Sequence, residues 1–279
     1  MRVINEFTGS REGLKKPMAE GRIIGRKDGP VGTLIFDNPT KRNAVSLAMA
    51  KQVPEVISDF IADPAIRVIV VTGSGEASFV SGMDISEFDA KRSTAEENAA
   101  YNASAIGMYR AVRYAEKPTV AAIRGYCMGG GMAIACGCDL RLCSDDSQFG
   151  VPAARLGLGY AAPYTQWLVE VVGLAYAEEI LLTARRYSAA EAHHMGLIHA
   201  QYPAATFDSL CANYVAQVAD NAPLTMTAAK HIIDDLAGGF DQQKQERADR
   251  LIGACSASED YKEGRRAFTE KRKPKFSGR

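Results

Sequence analysis

The apolar positions change their rhythm once along the chain, between about residues 160 and 200. Before that zone, short β-branched runs alternate with stretches of helical spacing. After it, apolar residues recur three or four apart and β-branched runs are few. Residues 23–27 and 32–37 read as strands joined at Asp28-Gly29, a hairpin signal. Asn38-Pro39 marks a turn. Ser46 caps a helix reaching about residue 62, with Met49, Val53, Ile57 and Phe60 on its apolar side. Pro54 falls inside that helix and predicts a kink. Residues 68–72 form a fully apolar strand closed by Gly73-Ser74-Gly75, and residues 77–86 a short strand turning at Gly82. A helix is expected over 93–116, and strands at 119–123 and 139–144. Beyond residue 160, helices are expected over 168–172, 175–183, 189–195, 207–219, 224–236 and 259–271. Pro223 suits a first helical position, and Ser188 and Ser258 suit caps.

Between the strands at 119–123 and 139–144 lies Gly125-Tyr-Cys-Met-Gly-Gly-Gly131, followed by a small apolar helix at 132–136. Strand, glycine loop and helix together point free backbone N–H groups at one spot. A phosphate-cradling loop would need Lys-Ser/Thr after its last glycine, where Met132-Ala133 stand. The dinucleotide spacing G-x-G-x-x-G after a first strand is also absent. Two readings remain: a backbone site that stabilises negative charge on an oxygen, or a corner where glycines let strand and helix pack tightly.

Composition narrows the class. Lys plus Arg equals Asp plus Glu, 33 each, which argues against a dedicated nucleic-acid binder. The six cysteines lack paired C-x-x-C spacing and read as buried, reduced thiols, with no metal site expected. Residues 1–20 are polar and read as a loose arm without a signal sequence. No run approaches the length of a transmembrane helix, so no membrane partner and a cytoplasmic location are expected.

The motifs together resemble the crotonase (enoyl-CoA hydratase/isomerase) superfamily. The resemblance rests on Asn38-Pro39 with Lys41-Arg42-Asn43-Ala44, on Phe79-Val-Ser-Gly-Met-Asp-Ile85, on Lys117-Pro118 and the glycine loop, and on Cys138-Asp139. Phe149-Gly150, Gly196-Leu197-Ile198, Ala222-Pro223-Leu224 and the tail from Ser258 complete it. It implies an α/β fold, with a crotonase-like ββα spiral core over residues 21–200 and a helical region over 201–279. That region would oligomerise, as a homotrimer or a dimer of trimers. The substrate would be an acyl-CoA thioester, so that coenzyme A is part of the substrate and no separate cofactor is needed. Its thioester oxygen would sit between the N–H groups of Met83 and Gly130. Arg42, Ala44, Gly129 and the adenine-binding backbone of Ser81, Asp84 and Ile85 would line the substrate, and Phe268 and Lys271 would reach the CoA of a neighbouring subunit or their own.

This chain departs from the hydratase pattern where acid and base are expected. Adding water across a double bond needs a proton acceptor and a proton donor. The two family glutamates fall at Ala133 and Ala153, and no acidic residue lies between Ala153 and Trp167. Leu156-Gly-Leu-Gly-Tyr160 instead resembles the methylmalonyl-CoA decarboxylase-like branch, which carries a tyrosine at the Tyr160 position. Family decarboxylases carry His where Met83 stands. Decarboxylation needs an oriented carboxylate and an oxyanion site but no general base. Tyr160 also reads as an ordinary buried tyrosine, and Arg155 and Arg124 as surface arginines or as carboxylate holders. An acyl-CoA lyase is expected; an enoyl-CoA hydratase, a non-catalytic acyl-CoA binder and a thioesterase-like relative remain open.

Overall fold

The computed structural model describes residues 21–87, 94–239 and 241–279; the expected arm at 1–20 lies outside them. The chain begins with a hairpin, β1 (Arg22–Asp28) and β2 (Val31–Asp37), then α1 (Leu47–Ala62). Three strand pairs follow, each strand of a pair entering a different sheet: β3 (Val68–Gly73) and β4 (Ser78–Val80), β5 (Thr119–Ile123) and β6 (Tyr126–Met128), β7 (Leu140–Ser144) and β8 (Gln148–Gly150). Helix α2 (Ala95–Arg113) follows the first pair, α3 (Gly130–Gly137) the second and α4 (Ala162–Thr183) the third. Strand β9 (Tyr187–Ser188), α5 (Ala189–His194) and β10 (Ala200–Tyr202) close the last turn. Helices α6 (Phe207–Ala219), α7 (Pro223–Ala237), α8 (Gln242–Ala257) and α9 (Glu259–Thr269) complete the chain.

One sheet has the order β1-β2-β3-β5-β7-β10, parallel except for the β1–β2 hairpin; the other has the order β4-β6-β8-β9, parallel except for β8–β9. Each ββα turn therefore adds one strand to each sheet, which is a spiral. The unbroken apolar runs in β3 and β5 follow from this, because the larger sheet is covered on both faces. With period-two alternation, Ile69, Val71, Ala121 and Ile123 face the main core with α1 and α3, while Val68, Val70, Val120 and Ala122 face Phe207, Cys211 and Val215 of α6. The expected boundary at residue 200 falls on the first residue of β10, and α6 packs directly on the larger sheet.

Several expectations need correction. Residues 242–257 form α8, where no helix was expected. Only Ala248 is buried on it, so it carries no apolar stripe to read; its signals are the Asp241 cap, which accepts from Lys244 N–H, and its helix-forming Gln, Lys, Glu and Arg. The expected helices at 168–172 and 175–183 are both present as the two arms of α4, which break at the non-helical Gly173 (φ 75°); only the start differs, since the first arm begins at Ala162. Helix α1 contains Pro54, as expected, with Val53 and Ile57 on either side of it buried in the core. The loop before the triple glycine contains β6, and β8, β9 and β10 were not read as strands; runs of two or three residues carry no periodicity. Thr94 caps α2 with Glu97 in a capping box, one position after the expected start at Ser93, which lies outside the described residues. Ser188 and Ser258 cap as expected.

All six cysteines are free, five of them buried. Burial pushes the Cys136 thiol up to about 11 and Cys138 up to about 12. Among the described residues, no helix is long and apolar enough to cross a membrane.

One carboxylate joins the spiral to the C-terminal helices. Asp139 Oδ2 accepts from Thr119 N (2.7 Å), from Thr119 Oγ1 (2.8 Å) and from Lys230 Nζ on α7 (2.8 Å). Lys230 is 9% exposed, so losing its partner strands a buried charge. Asp139→Ala is expected to lower unfolding stability by about 3 kcal/mol, measured by urea denaturation, with Lys230→Met costing less because it removes the charge itself.

Candidate active site

The site begins with two buried asparagines. Asn38 donates through Nδ2 to Ala44 O (2.8 Å), and its N–H donates to Asn43 Oδ1 (3.0 Å). Asn43 Nδ2 donates to Ser78 O (2.6 Å) and Ser74 O (3.0 Å). These bonds satisfy backbone groups that a tight irregular turn would otherwise bury unpaired. They also fix Val45 beside the segment after β4. Val45 N–H donates to Gly82 O (2.8 Å), and Asp84 N–H donates to Val45 O (2.9 Å). The Met83 N–H between these two bonds is left without an acceptor among the described residues.

Its counterpart comes from α3. Gly130 is the first residue of that helix, so its N–H has no acceptor within the helix. A Cβ on Gly131 would overlap the Val80 carbonyl, and one on Gly82 would lie 3.5 Å from Gly130 N. Glycine at 131 is what lets the two segments meet, and glycine at 82 what lets the chain take its φ of 115° beside them. A Cβ on Gly130 would strike the Tyr109 hydroxyl and lie 3.5 Å from Met83 N. At the other end of α3, the buried Arg141 donates to Cys138 O (2.6 Å), Leu197 O (2.8 Å) and Ala135 O (3.4 Å). A cation at a helix C-terminus complements the dipole whose positive end is at Gly130.

The two N–H groups lie at a cleft of about 820 Å³. Met83, Gly129, Gly130 and Tyr160 line it, as do Ala44, Ser81, Asp84, Ile85 and Ala153. Four expected positions do not. Arg42 is exposed, with its guanidinium 5.2 Å from the centre of the Tyr126 ring, because its φ of 53° turns the side chain outward at the end of a 3-10 turn. Ala133 is 1% exposed within the core, its methyl group turned inward by α3. Phe268 is 87% exposed in a groove among α7, α8 and α9, and Lys271 is exposed just beyond α9. Neither therefore reaches the cleft of its own chain.

Arg155 is exposed outside the cleft, and Arg124 pairs with Asp208 (2.9 Å) over the Phe207 ring. Of the histidines, His199 Nδ1 accepts the Arg141 N–H (3.1 Å), and burial lowers its pKa. Lys41, Tyr101, Tyr109 and Tyr164 line the cleft and were not expected there. For the first pair of tyrosines a signal existed: Tyr101, Ala105 and Tyr109 recur every four residues along one face of α2.

The electrostatics are sparse. Burial pushes the Asp84 carboxyl up, but hydrogen bonds from Lys41 Nζ (2.7 Å) and Ser86 outweigh it and hold the group below the usual carboxylate range. Asp84 is the sole carboxylate lining the cleft among the described residues. The phenols are held neutral. Burial pushes Tyr160 and Tyr109 well above their ordinary value and Tyr164 up to about 12. Tyr160 Oη donates to Gly129 O (3.2 Å), next to the Gly130 N–H. The Tyr164 ring lies between the other two, 4.4 Å from Tyr109 and 5.9 Å from Tyr160 by centroids.

The family described as enoyl-CoA hydratase/isomerase matches residues 26–279. A short-chain-enoyl-CoA hydratase of Clostridium acetobutylicum is 30% identical, over 92% of this chain and 97% of its own length. A crotonyl-CoA hydratase of Syntrophomonas wolfei is 30% identical, over 93% of this chain and 99% of its own. Among solved structures, an enoyl-CoA hydratase/carnithine racemase of Magnetospirillum magneticum superposes with a TM-score of 0.86 at 32% identity, covering 92% of this chain and 96% of that one. The spiral of paired strands and these matches agree: the chain belongs to the enoyl-CoA hydratase/isomerase family, with the crotonase fold.

Proposed function

We propose that the protein is an acyl-CoA lyase that decarboxylates a malonyl-type thioester. The observation that carries this reading is the pair of unengaged N–H groups at Met83 and Gly130, set in a cleft whose one described carboxylate is tied up by Lys41. Hydration needs an acid and a base on the water; the positions that would supply them are Ala133 and Ala153. Decarboxylation needs neither at the bond-breaking step.

The thioester carbonyl oxygen binds between the two N–H groups. The bond from the α-carbon to the carboxylate breaks, its electron pair moves into the carbonyl, carbon dioxide leaves, and the oxyanion of the enolate is held by donors already in place. The rest of the acyl pocket is apolar, with Ala105, Ile106, Leu156 and Leu158 on its wall. A carboxylate there loses hydration that the spreading charge of the transition state needs less. Tyr160 holds the carbonyl of Gly129 and so fixes the turn that aims the Gly130 N–H. Backbone around Ser81–Ile85 takes the adenine. In a trimer, Phe268 and Lys271 of a neighbouring subunit cover the CoA; the CoA belongs to the substrate, and the reaction calls for no other cofactor.

A second reading, enoyl-CoA hydratase, is favoured by the names of the relatives. The two separate on two substrates. Purified protein is expected to release carbon dioxide from methylmalonyl-CoA and to leave crotonyl-CoA unhydrated; rapid loss of the crotonyl absorbance would reverse the assignment. Tight binding of both esters without turnover would favour a binding protein. Gly130→Ala, which fills the space beside Met83 N, is expected to lower kcat by about 10²–10³-fold. Because Asp84 is held below the carboxylate range and the phenols above theirs, neither changes protonation between about pH 6 and pH 9, and kcat is expected to be flat across that window.

A further inference from the structure

Decarboxylation leaves an enolate, and the enolate must take a proton on its α-carbon before the product can leave. The bond-breaking step therefore needs no acid, but the turnover does. Most proton donors that the described cleft residues carry are engaged elsewhere. Lys41 Nζ donates to Asp84 and Ser86, the Ser86 hydroxyl donates to Asp84, the Ser81 hydroxyl donates to Lys41 O, and the Tyr160 hydroxyl donates to Gly129 O.

Tyr109 is different. Its ring is packed into the core at 3% exposure, tilted against the Tyr164 ring 4.4 Å away, yet the residue lines the cleft and its hydroxyl has no hydrogen-bond partner among the described residues. It lies against Gly130, in the space a Cβ there would claim, on the same side as Met83 N. The phenol is therefore beside the oxyanion site, and the α-carbon of a bound thioester is two bonds from the oxygen held there. Tyr164 packs beside it from α4 and is more exposed.

We infer that Tyr109 is the catalytic acid of this site, delivering its hydroxyl proton to the α-carbon of the thioester enolate. The inference rests on the decarboxylase reading above. In the step, the Tyr109 O–H bond breaks, a C–H bond forms at the α-carbon from the enolate electron pair, and the carbonyl double bond to oxygen is restored. The tyrosinate left behind regains a proton from water entering as the product leaves. Burial makes the phenol a weak acid, which suits the partner: an enolate carbon is a far stronger base than a phenolate. It also keeps the proton in place until the enolate exists. Tyr160 becomes a positioning residue, acting on the substrate through Gly129 and Gly130.

The division of labour is tested in deuterium oxide with methylmalonyl-CoA. The wild type is expected to give propionyl-CoA carrying one deuterium at the α-carbon in a single configuration. Tyr109→Phe keeps the ring and its packing and is expected to bind propionyl-CoA within about threefold of the wild type. It should release carbon dioxide about 100-fold more slowly and deuterate both faces, because solvent replaces the lost acid. Tyr160→Phe should slow the reaction while keeping a single configuration. A Tyr109→Phe enzyme with the wild-type rate and configuration, or a slowed one that still labels one face, would overturn the assignment while leaving the decarboxylase reading intact. A wild type that releases no carbon dioxide would overturn that reading, and this one with it.

Discussion

The structure depends on one close approach, that of the backbone after β4 to the first turn of α3. A side chain on Gly131 would overlap the Val80 carbonyl, and one on Gly130 would strike the Tyr109 hydroxyl. Glycine is needed here for absence of volume more than for conformational freedom. Given that approach, the backbone N–H groups of Met83 and Gly130 come to the same end of the cleft, neither with an acceptor among the described residues. Backbone donors of this kind are set by the fold itself and would need little reorganisation if charge developed beside them.

Everything around the approach stiffens it. Asn38 and Asn43 bond the irregular turn before α1 to the carbonyls of Ala44, Ser74 and Ser78. Val45 holds both neighbours of Met83. Arg141 closes the far end of α3 with three carbonyl acceptors, and Tyr160 grips the carbonyl before Gly130. These groups differ in chemistry but act on the same two segments.

The larger features were legible because they are written in periodicity or in volume. The apolar runs at 68–72 and 119–123, the Ser46 and Ser258 caps and the glycine loop each reflect a local physical demand. The losses of carboxylate at Ala133 and Ala153 were equally plain, since an alanine has no proton to give. What stayed hidden was carried by contacts across the chain. Tyr109 reads as one more apolar position on α2 until α3 brings Gly130 against its hydroxyl. Lys41 reads as a surface lysine until Asp84 folds onto it. Strands β6, β8, β9 and β10 exist because neighbours supply their ladders, and α8 exists without a buried stripe because α7 and α9 flank it. Phe268 and Lys271 show the opposite case: their motif was readable, but within this chain they lie away from the cleft.

The three-way bond at Asp139 bears on how far this molecule can be taken apart. Its carboxylate is shared between the first residue of β5, the strand that runs toward the glycine loop, and a lysine from α7, far along the helical half. Sequence texture suggests two modules joined near residue 200, each of which one could trim or transplant. The hydrogen bonds cross that division. A cut there would leave a buried ammonium on one piece and its carboxylate on the other, and would strip α6 from the face of the sheet it covers. Mechanically, the glycine loop and the C-terminal helices are anchored to one another through that carboxylate.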